Sequence, residues 1–150
     1  MKVAVTTPLS IVIEASNVAH LRAEDETGAF GILAGHADFL TALAISVVSW
    51  RDARGDEHHV AVRGGMLEVR GGDLIEIATP EAVPGDDLRR LEVEVLTGFR
   101  RRLADEQSAR TDAQRLYLAA IRQICRFLRP ERAIVMPGST FVNGRESINQ

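Results

Sequence analysis

The sequence predicts a β-sandwich or barrel followed by an antiparallel pair of α-helices. Three observations carry the prediction. Apolar residues recur with period two from Met1 to about Thr79, glycine-rich turn signals interrupt that stretch at short intervals, and after "TPEAVPGDD" the apolar spacing lengthens to three and four. Period two sends successive side chains to opposite faces of a strand, whereas spacings of three and four line one face of a helix.

The strands come first. Val3 and Val5 alternate, as do Ile11, Ile13 and Ala15, then Val60 and Val62, Leu67 and Val69, Ile75 and Ile77. Between these lie "TPLS", "ETGAFG", "ARGDE" and two "RGG" triplets, and many short strands at this spacing indicate a sandwich or barrel. Both triplets, at 63–65 and 70–72, read as turns. An RNA-binding arginine–glycine tract is rejected, because such tracts are low in complexity and "MLEV" between the triplets has strand character. Gly71-Gly72 suits a two-residue hairpin loop, where glycine takes positive φ without steric cost.

Leu88, Leu91, Val95, Phe99 and Leu103 mark one face of a first helix. Asp86 or Asp87, just after Pro84-Gly85, supplies its N-cap. A second helix is expected from "TDAQ", where Thr111 and Gln114 have capping-box spacing; its stripe is Tyr117, Ala120, Ile121, Ile124 and Leu128, and Pro130 ends it. Joined by "EQSAR", the two helices would zip along their stripes. The expected organisation is a sandwich over 1–84, a helical hairpin over 85–130, and a disordered tail over 131–150 with no sustained period.

Composition narrows the function classes. Hydrophobic residues make up 45% of the chain but aromatics only 5%, so the core must be built from Val, Leu, Ile and Ala. A net charge of -3 argues against general binding to nucleic acid or acidic lipid. Cys125 is the single cysteine, which rules out an intramolecular disulfide and fits a reducing compartment. The N-terminal stretch lacks the continuous apolar run of a signal peptide, and no run approaches the roughly 20 apolar residues that span a bilayer. Membrane association is therefore expected only through a partner.

Candidate chemistry concentrates in "GAFGILAGHADFL", residues 28 to 40. His36 as base and Asp38 as its orienter would need a nucleophile, metal or oxyanion site, and none of the corresponding motifs is in the sequence. A loop shaped for contact with a partner is the stronger reading. His58 and His59 are adjacent on a strand and point to opposite faces, so they cannot chelate one metal together. Cys125 lies near the second helix's stripe and is expected to pack as a small hydrophobe. "FRRRL" fans Arg100, Arg101 and Arg102 over the outer helix face, as a solvated surface or a contact for an acidic protein or nucleotide phosphate. The glycine-rich phosphate cradles are missing. No catalytic residues and no metal ligands are assigned.

The order "GAFGILAGHADFLTAL", "VRGGMLEVRGGDLIEIATPEAV", helical hairpin resembles the epsilon subunit of F-type ATP synthases over about residues 2 to 130. The resemblance implies a sandwich of about ten strands and two helices in a non-catalytic rotor subunit that uses no cofactor. It implies as partners the gamma subunit, the c-ring and the alpha/beta catalytic head, with attachment to the cytoplasmic face of the bacterial membrane only through that complex. Gly28, Ala29, Phe30 and His36 would face the c-ring, and Arg100, Arg101 and Arg102 would reach the head if the helices extend. Ala34 and Asp38 stand where the family usually has prolines, which implies a less rigid loop. The nucleotide motif of some members is matched only by Asp86 and Arg89 in "GDDLRR", with Gly85 and Arg90 departing, so nucleotide binding there is not expected. "GDDL", the arginine-rich helix and "RQICRFLR" resemble the alternate, N-type branch. Two rival readings are an ATP-sensing regulatory subunit and an unrelated sandwich module that binds a ligand or nucleic acid.

Overall fold

The computed structural model describes residues 1–128 of the 150. Its strands are β1 (Lys2–Thr6), β2 (Ile11–Ala15), β3 (Val18–Asp25), β4 (Gly28–Leu33), β5 (Phe39–Asp52), β6 (Glu57–Arg70), β7 (Leu74–Ala78) and β8 (Ala82–Gly85). They pair in the order β2-β1-β7-β6-β5-β3-β4, with β8 on β6. Among the described residues only β1 and β7 run parallel; the other pairs are antiparallel.

β5 and β6, at 14 residues each, turn this path into a sandwich. Phe39 to Leu43 pair with Val69 to Gly65, and Ile45 to Arg51 with Arg63 to Glu57, leaving Ala44 and Gly64 out of register. β7 joins only the second half of β6 and β8 only the first. The strand pair therefore bends at Gly64-Gly65, where φ is 72° and 121°, and crosses from one layer to the other. Counted by layer, each long strand supplies two segments, which reconciles eight continuous strands with the ten implied by family resemblance. The bend also corrects the reading of Arg63 to Gly65 as a turn. Paired glycines allow a sharp strand bend for the same reason they allow a turn, so the residues alone do not separate the two. Gly71 and Gly72 do form the β6–β7 hairpin turn, with φ 59° and 71°, and Asp73 joins them in the loop.

The period-two residues fill the space between the layers. Val3, Val5, Leu21, Ile32, Val48, Val60, Val62, Leu67, Val69, Ile75 and Ile77 are all buried in one cluster drawn from residues of the strands. Trp50 joins them, stacked on His58 of the neighbouring strand at 5.5 Å. His59 points to the other face, as alternation requires, and its Nδ1 lies 2.8 Å from Ser49 Oγ.

Asp87 is the N-cap that the sequence left open with Asp86: its carboxylate accepts the Arg90 N–H at 3.1 Å. One helical stretch follows as α1 (Leu88–Arg90), a π-helical turn (Leu91–Val95) and α2 (Leu96–Leu128). Leu96 N–H donates to Leu91 O, five residues back, so Leu91 and Leu96 fall on one face. With Phe99 they cover Ala61, Ile45 and Val47 on the outside of the sheet. The predicted stripe missed Leu96 because it assumed uninterrupted spacings of three and four.

Two expectations are corrected. The helix continues through Glu106 to Arg110, where a joint was predicted, and Thr111 and Gln114 lie inside it. "EQSAR" contains neither glycine nor proline, so nothing in it breaks a helix. Cys125 is exposed rather than packed, because among the described residues no second helix covers Ile121, Ile124 or Leu128. Met1 to Arg110 form one compact unit and Thr111 begins another. The tail over 131–150 lies outside the described residues.

Candidate functional site

β4 is an edge strand, bonded only to β3, and it carries Gly28, Ala29 and Phe30 in regular register rather than in a loop. Asp25 closes the hairpin opposite Gly28. Its Oδ1 accepts the Thr27 hydroxyl at 2.6 Å and the Thr27 N–H at 2.8 Å, and its Oδ2 accepts the Thr41 hydroxyl at 2.9 Å. One carboxylate thus shapes the turn and ties it to β5. These bonds, the Thr27 hydroxyl foremost, hold the Asp25 carboxyl below its ordinary pKa.

Next to it lies a small aromatic cluster. Phe30 meets Phe39 edge-on at 5.6 Å, and His36 meets the same ring at 5.8 Å. His36 Nδ1 donates to Ala37 O at 2.7 Å and its N–H to Leu33 O at 3.1 Å. Asp38 does not serve His36; its Oδ1 accepts the Gly71 N–H at 2.7 Å, while Gly35 N–H donates to Gly72 O at 2.8 Å. Each half of the supposed dyad is thus engaged elsewhere. At position 38, where the family usually has proline, Asp38 instead makes this cross-loop bond to Gly71. Ala29 is exposed, as are Leu33 and Leu40 at about three-fifths of their surface. The result is a firm edge with apolar projections and no reacting pair.

The sequence singled out four residues of this surface and missed Asp25, Phe39 and Thr41. Asp-x-Thr before glycine is an Asx-turn signal that was available. Nothing local marks Phe39 as the ring on which Phe30 and His36 converge.

The arginines separate. Arg102 sits over the Phe99 ring at 5.5 Å and pairs with Glu81, binding the helix to the sandwich. Arg63 holds Glu106 through two bonds of 2.9 and 3.3 Å. Arg100 and Arg101 are exposed, as are Asp86 and Arg89.

A depressed carboxylate pKa stabilises the fold above the unfolded-state value, near pH 4, and that contribution disappears as pH falls through the folded value. Asp25→Asn is therefore expected to lower the melting temperature at pH 7 but to lose less stability than the parent between pH 5 and 3. Parallel melting curves across that range with equal slopes would show the clamp to be inert.

Comparison with known proteins now decides the family. Residues 1–85 match the model of the ATP synthase delta/epsilon chain β-sandwich domain. The chain belongs to the ATP synthase delta/epsilon family. It is 40% identical over 132 residues to ATP synthase epsilon chain 2 of Paraburkholderia xenovorans, covering 88% of this chain and 95% of that one. With epsilon chain 2 of Cereibacter sphaeroides it shares 44% over 128 residues, 83% and 85% of the two. Among solved structures, a chain of the Euglena gracilis mitochondrial ATP synthase OSCP/F1/c-ring assembly aligns with TM-score 0.52 and 26% identity over 55% of this chain and 51% of that chain. A chain of the Tetrahymena thermophila central stalk and c-ring shares the fold at TM-score 0.50 and 14% identity, over 62% and 70%. As an epsilon chain it is an accessory subunit, not a catalytic one, and the reading as an unrelated sandwich module falls. No helix among the described residues is long and apolar enough to cross a membrane.

Proposed function

We propose that this epsilon chain is a non-catalytic central-stalk subunit that couples gamma to the c-ring of a rotary ATP synthase, on the cytoplasmic face of a bacterial membrane. The carrying observation is the β4 edge, where exposed Ala29 flanks a Phe30–Phe39–His36 cluster braced by Asp25 and Asp38. A rotor contact must pass torque without deforming, and here both neighbouring turns are tied down. Gly28, at φ 127° with open space around it, lets another chain approach the backbone. The c-ring loops are the proposed occupant of this edge. Arg100 and Arg101 remain available to an acidic surface of the catalytic head, whereas Arg102 must first leave Glu81. Both named bacterial relatives are called "epsilon chain 2", a designation that supports placing this chain in the alternate branch.

Ala29→Arg tests the edge. Position 29 faces Glu24 across the hairpin, so the new cation gains a cross-strand partner and the fold is expected to keep its stability within about 0.5 kcal/mol. In membranes carrying the whole complex, ATP hydrolysis should persist while ion pumping per ATP drops severalfold. Full coupling with an unchanged melting temperature would remove the edge from the c-ring contact. Copurification of a tagged chain with gamma, beta and c subunits checks the assignment to the stalk.

A further inference from the structure

We propose that the outer sheet face beside Leu88 is a binding site for a phosphate group. Register places its side chains. His20, Arg51 and Glu57 are direct cross-strand neighbours on β3, β5 and β6, and Arg22, Ser49 and His59 form the next row. Directly opposed residues project from the same face. The two rows line a cavity of about 330 Å³ beside Leu88, while Trp50, between the rows, turns its ring to the core on the opposite face.

The charges in this cavity do not cancel. Glu57 is taken by Arg51, and that guanidinium, with its charge behind it, holds the Glu57 carboxyl low. Arg22 makes no salt bridge among the described residues. His59 is 9% exposed and is fixed through Nδ1 by Ser49 Oγ. When that hydroxyl donates, the neutral ring carries its proton on Nε2, the form that donates to an anion. Two guanidinium groups and two imidazoles thus share a concavity with one carboxylate, on a chain whose net charge is -3. Such a cluster is not a by-product of a basic surface.

Size and shape select the ligand. The volume lies at the low end of ligand pockets. It admits a phosphate with little attached and excludes an acidic protein surface or a nucleic-acid duplex. Guanidinium forks match the oxygens of a tetrahedral oxyanion, and imidazole N–H groups add single donors. These residues are separate from Asp86 and Arg89, where the family's nucleotide motif would fall.

Binding is read by isothermal titration calorimetry, because the single tryptophan, Trp50, packs in the core on the opposite face of the sheet. The full-length chain should give a saturable heat of binding with inorganic phosphate, and none with chloride at matched ionic strength. Arg22→Gln, at an exposed position, should weaken the half-saturation concentration at least tenfold and keep the melting temperature within about 4 °C. A parallel titration with ATP separates the sources. Saturation by inorganic phosphate that depends on Arg22 assigns the phosphate group itself, whether or not ATP also saturates; saturation by ATP alone overturns the proposed small-phosphate site. A non-saturating drift, an equal response to chloride, or saturation unaffected by Arg22→Gln overturns the site.

Discussion

Gly65→Ala is expected to destabilise the chain by about 4 kcal/mol and to lower its melting temperature by more than about 15 °C, the largest loss of any single methyl in the sandwich. A Cβ at this position would lie 2.1 Å from Ala78 O, 2.9 Å from Thr79 Cα and 3.0 Å from Ala78 C, all backbone. Those atoms cannot retreat without breaking the Met66–Ala78 pairing that joins β6 to β7. The residue's φ of 121° adds conformational strain that any side chain would meet. Gly55→Ala is the control. There φ is 95° but nothing lies within 4 Å, so only the conformational cost remains, about 1 kcal/mol. Thermal melts of the two variants separate crowding from strain. Equal losses would mean that the layer crossing is not held by the close approach at Gly65.

Gly64-Gly65 also marks where the sequence was ambiguous. Period two located β1, β2, β6 and β7 through Val3, Ile13, Val62, Leu67 and Ile75, because burial between two layers demands alternation; it named no residue of β3 or β5, and Gly28 to Gly31 of β4 read as a turn signal. It did not distinguish a turn from a bend, since both ask only for residues tolerant of positive φ. The helix raised the opposite problem. Leu91, Val95 and Phe99 were legible as one face, but Leu96 became visible only once the π-turn shifted the phase. The absent joint at Glu106 to Arg110 has the same origin: polar residues look like a connection when apolar stripes on either side are assumed to meet. At the candidate site, Gly28, Ala29, Phe30 and His36 were found as a motif. Their support by Asp25, Thr41, Phe39 and Gly71 spans up to 33 positions of sequence, and local pattern carries no trace of it.

Phe99→Ala should detach the helix while leaving the sandwich folded. Phe99 is 1% exposed and packs with Leu91, Leu96 and Ala61, a cluster separate from the core between the layers. Truncating a buried Phe costs about 3–5 kcal/mol when its surroundings stay in place. Leu91 and Leu96 would then lie beside the void left by the ring, and the other ties are ionic: Arg102 to Glu81 and Arg63 to Glu106, both partly open to water. Pairs of that kind contribute about 0–1 kcal/mol each, too little to replace the ring, and Arg102 also loses the aromatic face it covers. The core between the layers contains no helix residue, so the expected loss is local. Hydrogen exchange should show amides from Leu88 to Leu103 losing protection and β1 to β7 keeping it, with a protease nicking the chain beyond Gly85. On the same logic we propose that residues 1–84 fold alone, and a fragment ending there should melt close to the Phe99→Ala sandwich. If the variant instead loses protection throughout its strands, Phe99 belongs to the sandwich core, and the module boundary must be drawn beyond the first turns of α2.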